Sequence, residues 1–149
     1  MNPEIIKKIE NYCSYQERCK NEVTEKLLRL GVNQSEQDNI LNYLIKNNYI
    51  NEERFAIAFT QGKFRIKNWG KVKILIELKR RKIEANLIEI AISQISDLDY
   101  QNMFNELSIK KFNSLNGSLD SRKRKFINYL SYRGWEYDLI IRKVNELFY

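Results

Sequence analysis

Basic side chains gathered in three short clusters are the residues of this sequence with the clearest chemistry. The first cluster spans residues 63–73 and includes a tryptophan, the second spans residues 79–82, and the third spans residues 122–125. Grouped Lys and Arg side chains bind phosphates and acidic protein surfaces. The candidate contact residues are Lys63, Arg65, Lys67, Lys71, Lys73, Arg80, Arg81, Lys82, Arg122, Lys123, Arg124, Lys125 and Arg133.

The clusters differ in how well ordinary helix chemistry explains them. Residues 79–82 end a predicted helix, where cations complement the helix dipole, so a solvated helix end explains them equally well. Residues 122–125 begin a predicted helix, where the same charges oppose the dipole. Lys20, Lys71 and Lys123 also share one column of an internal repeat described below, which predicts a basic stripe. Trp69 is predicted to pack at a repeat junction rather than to stack on a base.

Catalytic chemistry has little support in the sequence. The chain contains no histidine, and its five glycines form no phosphate-binding loop. Cys13 and Cys19 are six residues apart, unlike a zinc or redox pair, and are predicted to be buried or half-buried small apolar side chains. Neighbouring carboxylates such as Glu52 and Glu53 fit the first turn of a helix. We therefore expect a binding protein that is not an enzyme and needs no metal or cofactor.

Charge and hydropathy narrow the class further. The net charge is +7, with seven basic and seven acidic residues in 1–50, ten against six in 51–98, and nine against six in 99–149. A polyanion-binding surface is therefore expected in the second and third segments. No apolar run approaches the roughly 20 residues that span a bilayer, and the N-terminal residues lack a signal-peptide pattern. We expect a cytoplasmic monomer with no membrane partner.

An internal repeat organises the elements that must position these residues. The phrase Leu27 to Val32 recurs as Leu78 to Ile83 and as Leu130 to Trp135, at steps of 51 and 52 residues. A period of about 50 residues indicates a repeated supersecondary unit, so three tandem repeats are predicted at 1–50, 51–98 and 99–149, in one array without a flexible linker. Trp135 falls in the column of Val32 and Ile83, which predicts that it is a core residue.

Apolar residues recur at three and four positions within each repeat, which predicts an all-α fold. The fourth helix is predicted to bury Phe55, Ala58, Phe59 and Ile66. The array as a whole is predicted to be three three-helix repeats stacked into an elongated crescent. The nine predicted helices lie near residues 3–16, 19–30, 34–47, 51–67, 70–81, 84–96, 99–114, 118–133 and 136–148.

One further segment lies in register between two copies of the repeated phrase. It contains Glu52, Glu53, Arg54, Phe55 and Ala56. Together with the three repeat phrases, it resembles the RecX family of recombinase regulators over nearly the whole chain. The family-motif residues matched here are Arg54, Phe55, Ala56, Gly70 and Gly134. Lys82 stands where the family usually has glycine, and Cys19 stands where serine is common.

The resemblance implies a function for the predicted crescent. A RecX-like protein would lie in the helical groove of a RecA–DNA filament and weaken strand exchange and SOS-type coprotease activity, so it would act in DNA recombination and repair. Its partners would be the RecA filament and single- or double-stranded DNA, met through the filament or bound weakly alone. The sequence leaves open which basic residues contact DNA and which contact protein.

Two other functions fit the same residues. The net charge and basic clusters would suit a general nucleic-acid-binding helical repeat protein, which would bind DNA without any filament. A helical scaffold for unrelated proteins would instead have partners with no connection to DNA repair.

Overall fold

The structure is a computed structural model that describes residues 1–149 and contains nine α-helices and no β-strand. The prediction of an all-α fold is confirmed. The largest departures from the predicted bounds are at α6, which ends three residues early, and at α4 and α7, each shifted by two residues at one end. The helices are α1 (Pro3–Tyr15), α2 (Lys20–Arg29), α3 (Gln34–Lys46), α4 (Glu52–Arg65), α5 (Lys71–Arg80), α6 (Ala85–Ser93), α7 (Asp97–Ser114), α8 (Leu119–Tyr132) and α9 (Tyr137–Phe148).

Side-chain caps fix where several helices begin. Asn33 accepts the N–H of Glu36 at 2.9 Å at the start of α3. Ser96 does the same for the N–H of Asp99 at 3.1 Å, so α7 begins two residues earlier than predicted. Ser and Asn at such positions satisfy N–H groups that the helix itself leaves without acceptors.

The repeated sequence phrase is the end of the second helix of each repeat. After α2, the Gly31 N–H donates to the Leu28 carbonyl and the Val32 N–H donates to the Leu27 carbonyl, both at 3.0 Å. This pair of bonds is the Schellman motif, which requires a left-handed residue after the helix and favours an apolar contact between the two ends of the turn. Gly31 has φ +80°, and Leu27 and Val32 are buried.

The same motif ends α5 and α8. Lys82 adopts φ +60°, and the Ile83 N–H donates to the Leu78 carbonyl at 3.2 Å. Gly134 adopts φ +84° in the corresponding turn after α8. The absence of glycine at position 82 therefore leaves the cap geometry unchanged, but it places an L-residue in a left-handed conformation that costs about 1 kcal/mol.

The chain divides into two compact units, which cut across the predicted repeat boundaries. Unit 1 comprises Met1–Phe59 and Leu78–Ala91, and unit 2 comprises Thr60–Glu77 and Ile92–Tyr149. The three-repeat division stays a prediction.

Unit 1 has an aliphatic core built by its first three helices. Both cysteines are buried, as predicted: Cys13 is 6% exposed and Cys19 is 0% exposed. Burial raises the pKa of both thiols to about 11. The core cluster consists of Ile9, Cys13, Val23, Leu27, Val32, Ile40, Leu44 and Ile50.

Unit 2 has an aromatic core centred on Trp135. Its indole is 3% exposed, which confirms the prediction that it is a core residue. The rings of Tyr100, Phe104 and Phe64 lie 4.6, 5.4 and 6.4 Å from it, measured between centroids. The Trp135 indole N–H donates to the Asn68 carbonyl at 3.1 Å, so burial leaves no donor unsatisfied.

The predicted buried face of α4 is partly wrong. Phe55 is buried, but Ala58 is exposed and Ile66 is 76% exposed. Ile66 follows the last residue of α4. The core position predicted for Ile66 is occupied by Phe64, which is fully buried. No helix in the structure is both long enough and apolar enough to cross a membrane.

Candidate functional site

Positive charge is concentrated in unit 2. Of the 26 Lys and Arg side chains, 14 lie in unit 2, whereas only 8 of the 19 Asp and Glu side chains lie there. Unit 1 therefore has almost balanced charge, with 12 basic and 11 acidic side chains. The charge excess points to unit 2 as the polyanion-facing part of the chain.

A surface of alternating rings and cations lies in unit 2, and we call it the Trp69–Tyr132 surface. The Lys63 and Lys73 ammonium groups lie 5.0 and 4.7 Å from the centre of the Trp69 indole. Lys73 also lies 4.1 Å from the Tyr132 ring, which is 75% exposed. Cations at these distances are attracted to the face of the ring. The structure thus groups two predicted contact lysines with two aromatic side chains.

Helix α8 has a second basic region at residues 122–125. Arg122 and Lys123 lie over the Phe148 and Tyr149 rings at 5.6 and 4.6 Å, and the Lys123 ammonium donates to the Tyr149 hydroxyl. Arg124 and Lys125 are exposed. Arg124 and Lys125 can therefore approach an anionic partner from α8, whereas Arg122 and Lys123 are half-buried against these rings.

The placement of this basic run within α8 corrects the dipole argument. α8 begins at Leu119 with Ser118 as its cap, so residues 122–125 lie in its second turn. The dipole acts mainly within the first turn, where α8 instead has Asp120. The four charges therefore do not oppose the helix dipole, and the dipole no longer argues for a binding role of these residues. Lys20 and Lys71 begin their helices, whereas Lys123 lies one turn inside α8.

Several other predicted contact residues are engaged within the chain. Arg65 pairs with Asp99 at 3.4 Å, and Arg81 in unit 1 lies 3.9 Å from Glu22. The Lys71 ammonium lies 4.5 Å from the Tyr100 ring, and the Arg133 guanidinium lies 3.8 Å from the Tyr129 ring. Lys67, Arg80 and Lys82 are exposed.

The two family-motif glycines of unit 2 meet at one backbone junction. The Gly70 N–H donates to the Arg133 carbonyl at 2.8 Å, and the Val72 N–H donates to the Gly134 carbonyl at 3.0 Å. The first turn of α5 thus docks on the last carbonyls of α8, so each helix end satisfies the other. A Cβ at Gly70 would lie 2.4 Å from the Gly134 oxygen, and one at Gly134 would lie 2.2 Å from the Lys73 Cβ.

Tyr100 completes this junction. Its hydroxyl accepts the Lys71 N–H at 2.8 Å and donates to the Glu136 carboxylate. Burial and the hydrogen bond to Glu136 raise the pKa of Tyr100, so the hydroxyl stays protonated. The junction positions Lys71 and Lys73, and Lys73 belongs to the Trp69–Tyr132 surface.

In unit 1, the family-motif residue Arg54 joins two loops. Its Nε donates to Glu17 at 2.6 Å, and its two Nη atoms donate to the side chain and the carbonyl of Asn48 at 3.2 and 3.0 Å. Phe55 and Ala56 are buried beside it. The neighbouring Glu52 accepts the first N–H of α2 at 3.1 Å. These motif residues hold unit 1 together.

Tyr132 was not among the contact candidates predicted from the sequence, although its position in the repeat indicates that it is exposed. It falls in the same column as Arg29 and Arg80, two residues before the position of the left-handed turn. Both of those side chains are exposed, so the column faces solvent in all three repeats. An aromatic residue in a solvent-facing column deserves to be counted among contact candidates.

No group of three or more Cys, Asp or Glu side chains is arranged to bind a metal ion. The chemistry of the basic residues and rings is that of recognition: charge for phosphates or carboxylates, and flat faces for stacking.

Comparison with known proteins connects this arrangement to one family. Residues 51–92 match the family model for the second three-helix domain of RecX. The regulatory protein RecX of Acinetobacter baylyi is 28% identical over 131 residues, covering 88% of this chain and 80% of that protein. The regulatory protein RecX of Chlorobium limicola is also 28% identical, over 85% of this chain and 79% of its own length.

Solved structures agree with the sequence relatives. The crystal structure of RecX from Lactobacillus salivarius superimposes with a TM-score of 0.76 at 26% identity, over 95% of this chain and 93% of that one. A second crystal structure of a regulatory protein RecX gives a TM-score of 0.82 at 19% identity and supports the fold. The nine-helix fold, the repeated helix ends and these relatives together show that the chain belongs to the RecX family.

Proposed function

We propose that this chain is a non-enzymatic regulator that inhibits the RecA recombinase by binding in the groove of the RecA–DNA filament. The observation that carries the proposal is the similarity to regulatory RecX proteins over 85–88% of the chain. In this role the protein modulates recombination, repair and SOS-type coprotease activity in the cytoplasm, as a monomer and without a cofactor.

The charge distribution supports an interaction with a nucleoprotein filament. Unit 2 combines a basic excess with the Trp69–Tyr132 surface and the exposed cations of α8, Arg124 and Lys125. Filament-bound DNA offers phosphates to these cations, and acidic protein surface offers carboxylates. Both attractions weaken as salt rises, so binding to the filament should fall with ionic strength.

The direct test titrates the protein into a cognate RecA–DNA filament and measures ATP hydrolysis, strand exchange and coprotease activity. We expect all three to fall at stoichiometric amounts. Unchanged activities at that ratio would exclude the proposed inhibition.

A matched pair of variants tests whether unit 2 makes the contact. Arg124→Glu with Lys125→Glu reverses two exposed charges in unit 2, and Lys7→Glu with Lys46→Glu makes the same change at exposed positions of unit 1. The first pair should abolish most of the inhibition and the second should retain it. Equal loss in both would show that only net charge matters.

A second candidate function is general binding of nucleic acid, and the exposed Tyr132 beside Lys73 favours it. Rings next to cations form sequence-tolerant stacking surfaces for single strands. Fluorescence anisotropy with bare oligonucleotides and with the RecA–DNA filament separates the two functions. Weak binding to bare DNA at physiological salt, with firm binding to the filament, would exclude this alternative.

A further inference from the structure

An open groove lies in unit 1, which does not contain the Trp69–Tyr132 surface. It encloses about 420 Å³ between the outer face of α1, the loop after it and the end of α2. Sequence charge counting missed it, because the first fifty residues balance to zero. Its walls include Lys8, Tyr12, Tyr15, Arg18, Lys26 and Leu30.

Three cations face this groove without an acidic partner. Lys8 is exposed and makes no ion pair, and the Lys26 ammonium lies 5.5 Å from the Tyr12 ring. The Arg18 Nε donates to the Tyr12 carbonyl at 3.0 Å, and its guanidinium covers the Tyr12 ring at 3.8 Å. Glu22, whose charge also acts on Tyr12, is engaged with the Cys19 N–H and with Arg81.

Apart from the polar Asn11, the rest of the groove is lined by aromatic and apolar side chains. Tyr12 and Leu30 are half-buried walls, whereas the Tyr15 ring is 84% exposed at the rim. Lys8, Tyr12 and Tyr15 are spaced four and three residues apart on one face of α1, so the ring and the charge are offered side by side. A ligand that satisfies both must combine a flat face with a negative charge a few ångströms away.

We propose that this groove binds one nucleotide of a single-stranded nucleic acid, with the base against Tyr15 and the phosphate near Lys8 and Lys26. A nucleotide unit joins a stacking face to an anionic group, and a ring beside cations is how proteins hold single strands. The contact is independent of any filament, and so it goes beyond the proposed inhibition of RecA. The groove adds a nucleic-acid contact to the unit that has almost no net charge.

The test is NMR titration of the ¹⁵N-labelled full chain with the oligonucleotide (dT)6. The backbone amides of residues 8–30 and the Arg18 Nε–H should shift and saturate. Tyr15→Ala, and Lys8→Ala combined with Lys26→Ala, should each weaken binding at the groove about fivefold or more. The control Lys7→Ala with Lys46→Ala removes the same charge from exposed positions of unit 1 and should leave the groove shifts intact.

Two results would overturn the proposal. One is the absence of saturable shifts in residues 8–30 while amides of unit 2 respond to the same oligonucleotide. The other is equal binding of a peptide of alternating Asp and Phe, which would mark the groove as a protein-docking site. Neither result bears on RecA inhibition, which is measured separately by ATP hydrolysis and strand exchange.

Discussion

Units 1 and 2 end a helix with the same motif but use their cations differently. In unit 1 three cations near the motif residues pair with carboxylates, and cation–ring contacts include Arg18 and Lys26 over Tyr12 and Arg81 over Phe59. In unit 2 many more cations lie over aromatic rings. The unit 1 pairs are Arg54–Glu17, Lys20–Glu52 and Arg81–Glu22. The unit 2 contacts are Lys63–Trp69, Lys73–Tyr132, Lys123–Tyr149 and Arg133–Tyr129.

The difference matters because a carboxylate cancels the charge of its partner and a ring does not. A cation held over a ring is positioned at a gain of about 0.5–1 kcal/mol at exposed sites, yet it keeps its full charge. Unit 2 therefore orders its basic side chains without losing its positive field. In unit 1, Lys20, Arg54 and Arg81 instead use their charges to connect loops and helix ends.

Gly31 and Gly134 occupy equivalent turns, and replacing each by alanine compares the two units most sharply. A Cβ on Gly31 has nothing within 4 Å, whereas one on Gly134 would overlap Lys73. Gly31→Ala should cost about 1 kcal/mol of unfolding free energy for its left-handed backbone. Gly134→Ala should cost about 3 kcal/mol or more, since the junction must also move apart.

Chemical denaturation followed by circular dichroism measures both losses. Similar values for the two variants would contradict the close backbone approach at the junction between α5 and α8. Gly117→Ala is a useful further control, because Gly117 is left-handed but its nearest neighbour would lie 3.8 Å away.

Arg54→Ala should destabilise the protein by about 2 kcal/mol, because it removes three hydrogen bonds and leaves Glu17 without its cation. Arg54→Lys should recover little, since an ammonium cannot bridge both loops. In unit 2, Arg65→Ala breaks the exposed pair with Asp99 and should cost less than about 0.5 kcal/mol. Equal losses at positions 54 and 65 would remove the distinction between the units.

Arg124→Ala with Lys125→Ala should lower the affinity for the filament about tenfold at low salt. Each lost phosphate contact should reduce the slope of log affinity against log salt by about 0.7–0.9. Lys7→Ala with Lys46→Ala in unit 1 should leave that slope unchanged. Anisotropy titrations at four salt concentrations provide the comparison, and a slope that does not change in the unit 2 variant would contradict a phosphate role for these residues.

Lys82→Gly should stabilise the protein by about 1 kcal/mol, because glycine adopts φ +60° without steric cost. Lys82→Ala removes the same charge but keeps the strain, so it should give no such gain. A gain shared by both variants would point to charge rather than backbone conformation.

The thiols of Cys13 and Cys19 should label slowly in the folded protein at pH 7 and rapidly in denaturant, because both are buried with a pKa of about 11. Their folded pKa values exceed the ordinary value of 9, so the unfolded chain loses these protons first. The free energy of unfolding should therefore fall as pH rises from 9 to 11. A Cys13→Ala, Cys19→Ala variant should lose that part of the pH dependence.

Both cysteines lie in unit 1, so their labelling rate also reports its opening separately from unit 2. Rapid labelling of the Gly134→Ala variant would show that damage to unit 2 opens unit 1 as well. Rapid labelling of the unaltered protein at pH 7 would contradict the burial of the two thiols.

Local signals were enough to predict most of the helical architecture. The Leu, Gly and apolar positions of the repeat phrase encode a Schellman turn, whose bonds span only six residues. α3 and α8, which are capped by Asn33 and Ser118, begin within one residue of their predicted starts. The buried face of α4 was harder to predict. Ala58 and Ile66 fit the helical period of apolar residues, but they are exposed, and Phe64 is buried instead.

The candidate site was less predictable than the fold, because it is formed by contacts between residues that are distant in the sequence. Gly70 and Gly134 are 64 positions apart, and neither local sequence predicts that their backbones are in contact. Cation–ring pairs such as Lys73 with Tyr132 likewise join different helices. Counting charge by segment also concealed the groove of unit 1, because acids elsewhere in the first fifty residues cancelled its three cations.

The junction of α5 with α8 also bears on how the chain matures during synthesis. The first amides of α5 leave the ribosome about sixty residues before the carbonyls of Arg133 and Gly134 that accept their hydrogen bonds. Closing so long a loop is slow, and domains form as their residues emerge. The start of α5, with Lys71 and Lys73, therefore completes its folding only after α8 has been made. The aromatic and basic surface therefore becomes competent only late in the synthesis of the chain.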